Sequence, residues 1–124
     1  MRETAYAKIN LALHVRGRAP DGYHRIETLF AFCEDGDGVS VAEGAGLTLT
    51  VTGPFAPELG DASDNLVLRA AEAFRREHGV ARGAALALDK RLPVASGIGG
   101  GSADAAATLR LLAGLSLTAL LLWL

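Results

Sequence analysis

Cysteine is almost absent from this sequence of 124 residues, since Cys33 is the only one. A single thiol excludes an intramolecular disulfide and argues against a cysteine metal cluster. An isolated free cysteine is typically a small buried hydrophobic residue. Neither sign of charge dominates, because 12 basic and 14 acidic residues give a formal net charge of -2. The charge balance therefore gives no support to a general nucleic-acid binder.

The first residues lack the apolar run and the cleavage site of a secretory signal peptide, because 1–4 lead directly into a strand-like pattern. We therefore expect a cytoplasmic protein. Residues 111–124 carry no charge, and these 14 residues are fewer than the roughly twenty that cross a bilayer. We expect no membrane partner. Residues 113–124 form an atypical apolar segment, and we expect a helix over 116–124 that exposes apolar surface and promotes self-association.

Half of the residues are hydrophobic, and 21% are charged, which excludes a disordered chain. The length predicts one domain. Alternation of apolar and polar residues predicts strands at 5–16, 24–33, 47–52 and 84–89, with a further strand beginning at Val39. Turns are predicted at 20–22 and 35–38. Helical spacing predicts one helix from Leu66 to Gly79, capped by Ser63 or Asp64, and another over 102–112. This order predicts an α+β domain with a mainly antiparallel sheet.

The most informative stretch is the glycine loop, defined here as residues 93–103, which follows a predicted strand and opens an alanine-rich helix. Four glycines occupy five positions in 97–101. Glycine lets backbone N–H groups approach phosphate oxygens closely, and a helix N-terminus adds its dipole. Ser102 can cap the helix or place its hydroxyl on a phosphate or a bound Mg²⁺. A flexible turn with a serine cap remains the simpler alternative.

Two familiar phosphate motifs do not fit the glycine loop. A Walker A loop requires a lysine followed by serine or threonine, and this loop contains no lysine. The dinucleotide fingerprint counted from Gly97 requires a glycine where Ser102 stands. The loop is therefore a phosphate-binding candidate of another kind.

Polar side chains share one face of the first predicted strand. Lys8, Asn10 and His14 lie on that face, while Ala5 and Ile9 begin the apolar one. A lysine in this position can neutralise charge on a transferring phosphoryl group, although a solvated strand face explains it equally well. Tyr23 and His24 follow the first turn, where they can stack on a base or simply begin a strand.

Several motifs occur together and in order: Ala-Lys-Ile-Asn-Leu at 7–11, Asp-Gly-Tyr-His at 21–24, Asp-Asn-Leu at 64–66, Asp-Lys-Arg-Leu-Pro at 89–93 and the glycine loop. In combination they resemble the 4-diphosphocytidyl-2-C-methyl-D-erythritol kinases, a family of the GHMP kinase superfamily. The resemblance extends over about 5–112. It implies the N-terminal α+β half of a GHMP kinase, with a mainly antiparallel sheet and helices on one face.

The resemblance also implies a reaction and a set of site residues. ATP, with Mg²⁺, would phosphorylate the 2-hydroxyl of a cytidine diphosphate-linked methylerythritol in non-mevalonate isoprenoid biosynthesis. Lys8 matches the catalytic lysine, Asn10 a substrate contact, and Tyr23 and His24 the pair that recognises cytosine. Asn65 and Lys90 match positions near the adenine or ribose. The loop that matches the ATP phosphate cradle consists of Pro93, Val94, Ala95, Ser96, Gly97, Ile98, Gly99, Gly100, Gly101, Ser102 and Ala103.

One part of the family pattern is missing from this sequence. The family's general base is an aspartate in a Gly-Ala-Asp-Val-Pro-like segment beyond the glycine-loop helix, and no such segment occurs here. Asp104 belongs to the loop helix and is not assigned that role. We therefore expect little or no activity from this chain alone. A nucleotide-binding remnant without catalysis, or a GHMP kinase for another small alcohol, are the alternatives.

Overall fold

The computed structural model describes residues 1–61 and 64–121. Four strands and two helices make up the described fold: β1 (Arg2–Arg18), β2 (His24–Gly44), β3 (Leu47–Thr52), α1 (Leu66–His78), β4 (Gly83–Asp89) and α2 (Gly100–Leu121). A short 3-10 turn, Ala56–Glu58, lies between β3 and α1. This is the α+β fold that the sequence predicts.

The four strands form one sheet in the order β1-β2-β4-β3. β2 pairs antiparallel with both β1 and β4, whereas β3 and β4 are parallel neighbours. The parallel pair is joined by α1, as a parallel connection requires a crossover element. The sheet is therefore mainly antiparallel, with one parallel pair.

The predicted turn at 35–38 is wrong, because β2 continues through these residues as a single strand. The register shifts between Tyr6 and Lys8 of β1, so that residues 33–35 form an irregularity instead of a turn. Gly36 serves close strand approach here, since a Cβ atom on it would lie 2.4 Å from the carbonyl oxygen of Ala5. Asp37 consequently lies within the sheet and is fully buried.

α1 begins at Leu66, as predicted, but its capping residue and the start of α2 differ from the prediction. Asn65 caps α1, because its side-chain oxygen accepts a hydrogen bond from the Val67 amide at 2.9 Å, so the cap is not Asp64. Ser63, the other predicted cap, lies outside the described residues. α2 begins two residues before Ser102 and continues past Leu112 to Leu121, so no break separates the apolar segment from it. The last three residues of the predicted helix over 116–124 lie outside the described part.

Both helices pack on one face of the sheet, as the family resemblance implies. The core between helices and sheet consists of small and aliphatic side chains: Ala5, Val39, Val41, Val67, Ala71, Ala84, Leu86, Leu88, Ala107, Leu111 and Leu112. Among the described residues, no helix is long and apolar enough to cross a membrane.

The distal parts of β1 and β2, residues 9–18 and 24–32, form a two-stranded ribbon beyond this core. The alternation in β1 continues there, but Leu11 and Val15 are 61% and 62% exposed. The prediction of a half-buried strand is therefore correct for Ala5 and Ala7 and wrong beyond them. Apolar side chains remain exposed on the ribbon because the described helices cover only the proximal half of the hairpin.

Candidate functional site

The glycine loop joins β4 to α2 and has an unusual backbone. Ala95, Gly97 and Gly99 have φ angles of 53°, 75° and 74°, so alternate residues adopt left-handed conformations. Such alternation is typical of backbone nests, in which successive N–H groups point toward a common anion. Glycine favours these angles at 97 and 99, whereas Ala95 adopts one at an energetic cost.

The last part of the glycine loop is the first turn of α2. The Ala103 amide donates to the Gly99 carbonyl at 3.0 Å, which closes the first helical hydrogen bond. The amides of the first turn have no intrahelical acceptors, and they lie at the positive end of the helix dipole. Loop and helix therefore present donors suited to a phosphate group.

The loop separates two depressions on the protein surface. One has a volume of about 360 Å³ and is lined by the loop together with Asn65, Lys90 and Asp104. The other measures about 480 Å³ and contains Lys8 and Phe32. Gly97, Gly99 and Ser102 line both depressions. We call them the Asn65 side and the Lys8 side of the loop.

Lys8 is fixed on its side of the loop by backbone and side-chain contacts. Its amide donates to the Ile98 carbonyl at 2.8 Å, which joins β1 to the loop. Its ammonium donates to the Asn10 Oδ1 atom at 2.9 Å and lies 5.9 Å from the centre of the Phe30 ring. Asn10 in turn donates to the Thr28 hydroxyl at 2.7 Å. The predicted pair Lys8 and Asn10 is thus one hydrogen-bonded unit beside the loop.

Lys90, Asp37 and Asp104 form a buried triad beneath the loop. The Lys90 ammonium donates to Asp37 Oδ2 at 2.5 Å and to Asp104 Oδ2 at 3.1 Å. Asp37 Oδ1 accepts hydrogen bonds from the Arg91 and Leu92 amides at 2.6 and 2.8 Å. All three charged side chains are at most 4% exposed. Lys90 lines the Asn65 side, and its ammonium binds two carboxylates of the protein.

The triad has one ammonium for two carboxylates, and its burial shifts the pKa values of Asp104 and Lys90. Burial raises the pKa of Asp104 to about 7, against the opposing charge of Lys90 and with the help of the Asp37 carboxylate. Asp104 Oδ1 is buried and has no hydrogen-bond partner within the part of the chain that the structure describes. Burial alone would lower the pKa of Lys90, but hydrogen bonds and charge from the two aspartates raise it above its ordinary value. Lys90 therefore stays protonated.

Tyr23 and His24 lie at the distal end of the ribbon and not beside the loop. Tyr23 is 78% exposed, and its backbone amide donates a hydrogen bond to Asp21 Oδ1 at 3.0 Å. His24 pairs with Arg18, whereas Lys8 pairs with Phe32. From Lys8 to Arg18 is ten residues along the strand, which would span at most about 33 Å at roughly 3.3 Å per residue if the strand were straight. The structure thus brings together all predicted site residues except this pair.

Two functional candidates escaped the sequence analysis. Asp37 lies where the sequence predicts a turn, and Asp104 lies in the predicted helix after the loop. They meet through Lys90, from which they are separated by 53 and 14 residues in sequence. The only local signal in the sequence is Lys90, a charged residue directly after the apolar strand β4. This signal does not identify the two aspartates that bind it.

The chain's residues fit a nucleotide in the Asn65-side depression. Its volume is within the range of about 300–1,000 Å³ that ligand pockets occupy. A Cβ atom on Gly100 would lie 3.1 Å from Lys90 Nζ, so glycine lets the loop backbone lie close to this ammonium. Among the described residues, no group of three or more His, Cys, Asp or Glu is placed to hold a metal ion.

Comparison with known proteins gives a consistent result. Residues 65–121 match the model of the GHMP kinases N terminal domain. The chain is similar to the 4-diphosphocytidyl-2-C-methyl-D-erythritol kinase of Rhizorhabdus wittichii, with 63% identity over 112 residues, which is 89% of this chain and 38% of that protein. For the same kinase of Sphingopyxis alaskensis, identity is 58% over 113 residues, covering 90% of this chain and 40% of the relative. The chain thus spans about two fifths of the length of these relatives.

Solved structures show the same similarity in three dimensions. A crystal structure of 4-(cytidine 5'-diphospho)-2C-methyl-D-erythritol kinase superposes with a TM-score of 0.74 and 39% identity, covering 93% of this chain and 40% of the other. Homoserine kinase from Cytophaga hutchinsonii superposes with a TM-score of 0.62 over 69% of this chain and 29% of its own. Its identity of 23% supports the fold alone.

Proposed function

Because this chain has the N-terminal domain of a GHMP kinase and is similar to 4-diphosphocytidyl-2-C-methyl-D-erythritol kinases along nine tenths of its length, we propose that it contributes to ATP-dependent phosphorylation of that diphosphocytidyl alcohol. The acceptor is the 2-hydroxyl, and the reaction belongs to non-mevalonate isoprenoid biosynthesis. The cytoplasmic location and self-association expected from the sequence remain predictions.

The observation that carries the proposal is the position of the glycine loop between two depressions. ATP occupies the Asn65 side, with its phosphates on the loop amides and the N-terminus of α2. The acceptor alcohol occupies the Lys8 side. A phosphoryl group at the loop is then within reach of both, as transfer between two bound reactants requires.

Lys8 and Asn10 have distinct roles in this proposal. The Lys8 ammonium neutralises charge on the acceptor hydroxyl and the phosphoryl group, a contribution that depends on fixed positioning. Asn10 holds the ammonium at 2.9 Å and contacts the substrate. Mg²⁺, carried by ATP, supplies further charge neutralisation.

Tyr23 and His24 are proposed to recognise cytosine on the basis of the resemblance. For this they must approach a substrate whose alcohol lies near Lys8, although a straight ribbon keeps them far away. The β1–β2 register shifts between Asn10 and Ala12 and again between Val15 and Gly17. Bulges of this kind bend a strand and increase its twist. The ribbon is therefore built to curve, which shortens the distance.

The position of Asp104 supports the prediction that this chain alone has little or no kinase activity. Its carboxylate lines the Asn65 side and binds Lys90, so it is on the wrong side of the loop to take a proton from the acceptor. A turnover of roughly 1–100 per second with the diphosphocytidyl alcohol would contradict this prediction. ATP binding without phosphoryl transfer favours the alternative of a nucleotide-binding remnant.

Calorimetric titration with Mg²⁺-ATP and with cytidine diphosphate tests the two sides separately. Gly99→Ala is expected to weaken ATP binding by about tenfold, because a φ of 74° costs a side chain on the order of 1–2 kcal/mol. Gly46→Ala is the matched control, since nothing lies within 4 Å of a Cβ there.

Equal ATP affinity of the Gly99 and Gly46 variants would refute the loop as the phosphate site. If ATP binds and cytidine diphosphate does not, the assignment of ATP to the Asn65 side is retained. The acceptor is then assigned to another small alcohol.

A further inference from the structure

The buried triad connects the three segments that border the glycine loop. Asp37 belongs to β2, Lys90 follows the last residue of β4, and Asp104 lies in the first turns of α2. Thus one ammonium ties the segment that enters the loop to the helix that leaves it.

Several hydrogen bonds fix residues 90–92, where the chain enters the glycine loop. Both oxygens of Asp37 are used: Oδ2 accepts from Lys90, and Oδ1 accepts from the Arg91 and Leu92 amides. The amide of Lys90 donates to the Thr52 carbonyl of β3 at 2.7 Å. The chain direction at residues 90–92 is therefore fixed before the first loop residue.

The exit of the loop depends on the same ammonium. Asp104 Oδ2 accepts from Lys90, and a Cβ on Gly100 would lie only 3.1 Å from the Lys90 Nζ atom. The first residue of α2 thus rests directly above the ammonium. Between the two fixed ends, residues 93–99 must maintain left-handed conformations at three positions, which costs conformational free energy.

On the premise of the proposed nucleotide site, we propose that Lys90 is a positioning residue that shapes the glycine loop through Asp37 and Asp104, and not a ligand of ATP. Its two hydrogen bonds set the separation and direction of the loop ends. The loop amides are thereby arranged for phosphate before the nucleotide arrives, which lowers the ordering cost of binding.

A direct ligand and a positioning residue give different results in mutants. If Lys90 contacts ATP, its removal weakens binding, while an apolar residue at 104 has little effect. If Lys90 positions the loop, removing either Lys90 or Asp104 weakens binding, and the two losses are not additive because both break the same connection.

The variants are Lys90→Met, Asp104→Leu, their double mutant and the conservative Asp104→Asn. We expect each of the first two to weaken Mg²⁺-ATP binding by about tenfold or more, because a displaced loop misplaces its amides. The double mutant should bind no worse than Lys90→Met. Its melting temperature should exceed that of Lys90→Met, since Asp104 is no longer a buried charge without its partner. Asp104→Asn keeps an acceptor for Lys90 and should retain affinity within about threefold.

Leu86→Ala controls for loss of stability alone, because Leu86 is buried in the centre of β4 and belongs to the core instead of the triad. This variant should lower the melting temperature without changing ATP affinity. If affinity falls with Leu86→Ala as well, binding follows stability and the positioning role is refuted. If Asp104→Leu binds ATP with normal affinity while Lys90→Met binds it weakly, Lys90 is a direct ligand of ATP. This outcome also refutes the positioning role.

Amide hydrogen exchange of residues 93–103 without nucleotide separates this inference from the proposed function. Faster exchange in Lys90→Met and Asp104→Leu than in the wild type and in Asp104→Asn supports the positioning role, even if no variant binds ATP. Unchanged exchange contradicts it. Failure of the wild type to bind ATP, by contrast, contradicts only the proposed nucleotide site. If Lys90→Met does not fold, the comparison of Asp104→Leu with Asp104→Asn carries the same test.

Discussion

At the scale of single residues, the two lysines of the site illustrate what sequence analysis can identify. Lys8 was found because it interrupts the small and apolar residues of a strand, and the structure places it directly beside the loop. Lys90 was also assigned to the nucleotide side, and it lines that depression. Its burial between two carboxylates could not be foreseen, because Asp37 comes from a segment that carries every local signal of a turn.

Asp104 gives the protein a stability that depends on pH. Its pKa is raised to about 7 in the folded state, well above the ordinary value of about 3.9, so the folded protein binds a proton that the unfolded chain releases. Stability therefore falls as pH rises between about 4 and about 7. Lys90 remains protonated throughout this window, and the other charged group that faces Asp104 is Asp37 of β2.

Asp104→Asn should remove this dependence, because the amide does not titrate. We expect the variant to gain melting temperature relative to the wild type as pH rises from about 5 to about 8, measured at matched ionic strength. A difference in melting temperature that stays constant across this range would contradict the raised pKa.

At the scale of elements, periodicity succeeded where one face of a segment packs on the core. Strands β3 and β4 and the core face of α1 were predicted nearly to the residue. The sequence predicts two strands where β2 is one, because Asp-Gly-Asp-Gly at 35–38 resembles a turn. In the structure, Gly36 is required by the close approach of β1. Propensity describes the local chain and contains no information about the neighbouring strand.

The start of α1 offers a prediction at this scale. Asn65 Oδ1 caps the helix through the Val67 amide at 2.9 Å, while Asn65 is also a proposed nucleotide contact. Asn65→Ala should lower the free energy of unfolding by about 1 kcal/mol in denaturant titration, because the cap is lost. Asn65→Asp keeps the acceptor and should preserve stability. If Asn65→Asp nevertheless weakens ATP binding, the side-chain amide nitrogen of Asn65 has a separate role in binding. Equal stability of Asn65→Ala and the wild type would refute the helix cap.

At the scale of the whole molecule, one part of the described sheet is covered by helices and the other part, the ribbon, is not. Helices cover the sheet near the glycine loop, and the ribbon extends from it with exposed apolar side chains. A lone two-stranded ribbon is only marginally stable in water. The self-association expected from residues 113–124 stays a prediction, and the ribbon exposes apolar side chains as well, among them Leu11, Val15 and Leu29.

The ribbon should therefore open more readily than the rest of the sheet. In hydrogen exchange followed by mass spectrometry, we expect residues 9–18 and 24–32 to exchange faster than residues 37–41 and 84–88, whose side chains include the core. Uniform protection along β2 would mean that the ribbon is stabilised by contacts the described fold does not contain.

The packing of α2 on β1 has a consequence for synthesis on the ribosome. β1 is made first and α2 last among the described elements, yet they are joined in the core and by the ion pair between Glu3 and Arg110. During translation, the sheet can form its hairpin while the apolar face that α2 will cover is still bare. Until residues near 112 have left the exit tunnel, this apolar face stays exposed, and transiently exposed apolar surface of this kind is prone to aggregate. The first and last of the described elements therefore complete the core in the same step.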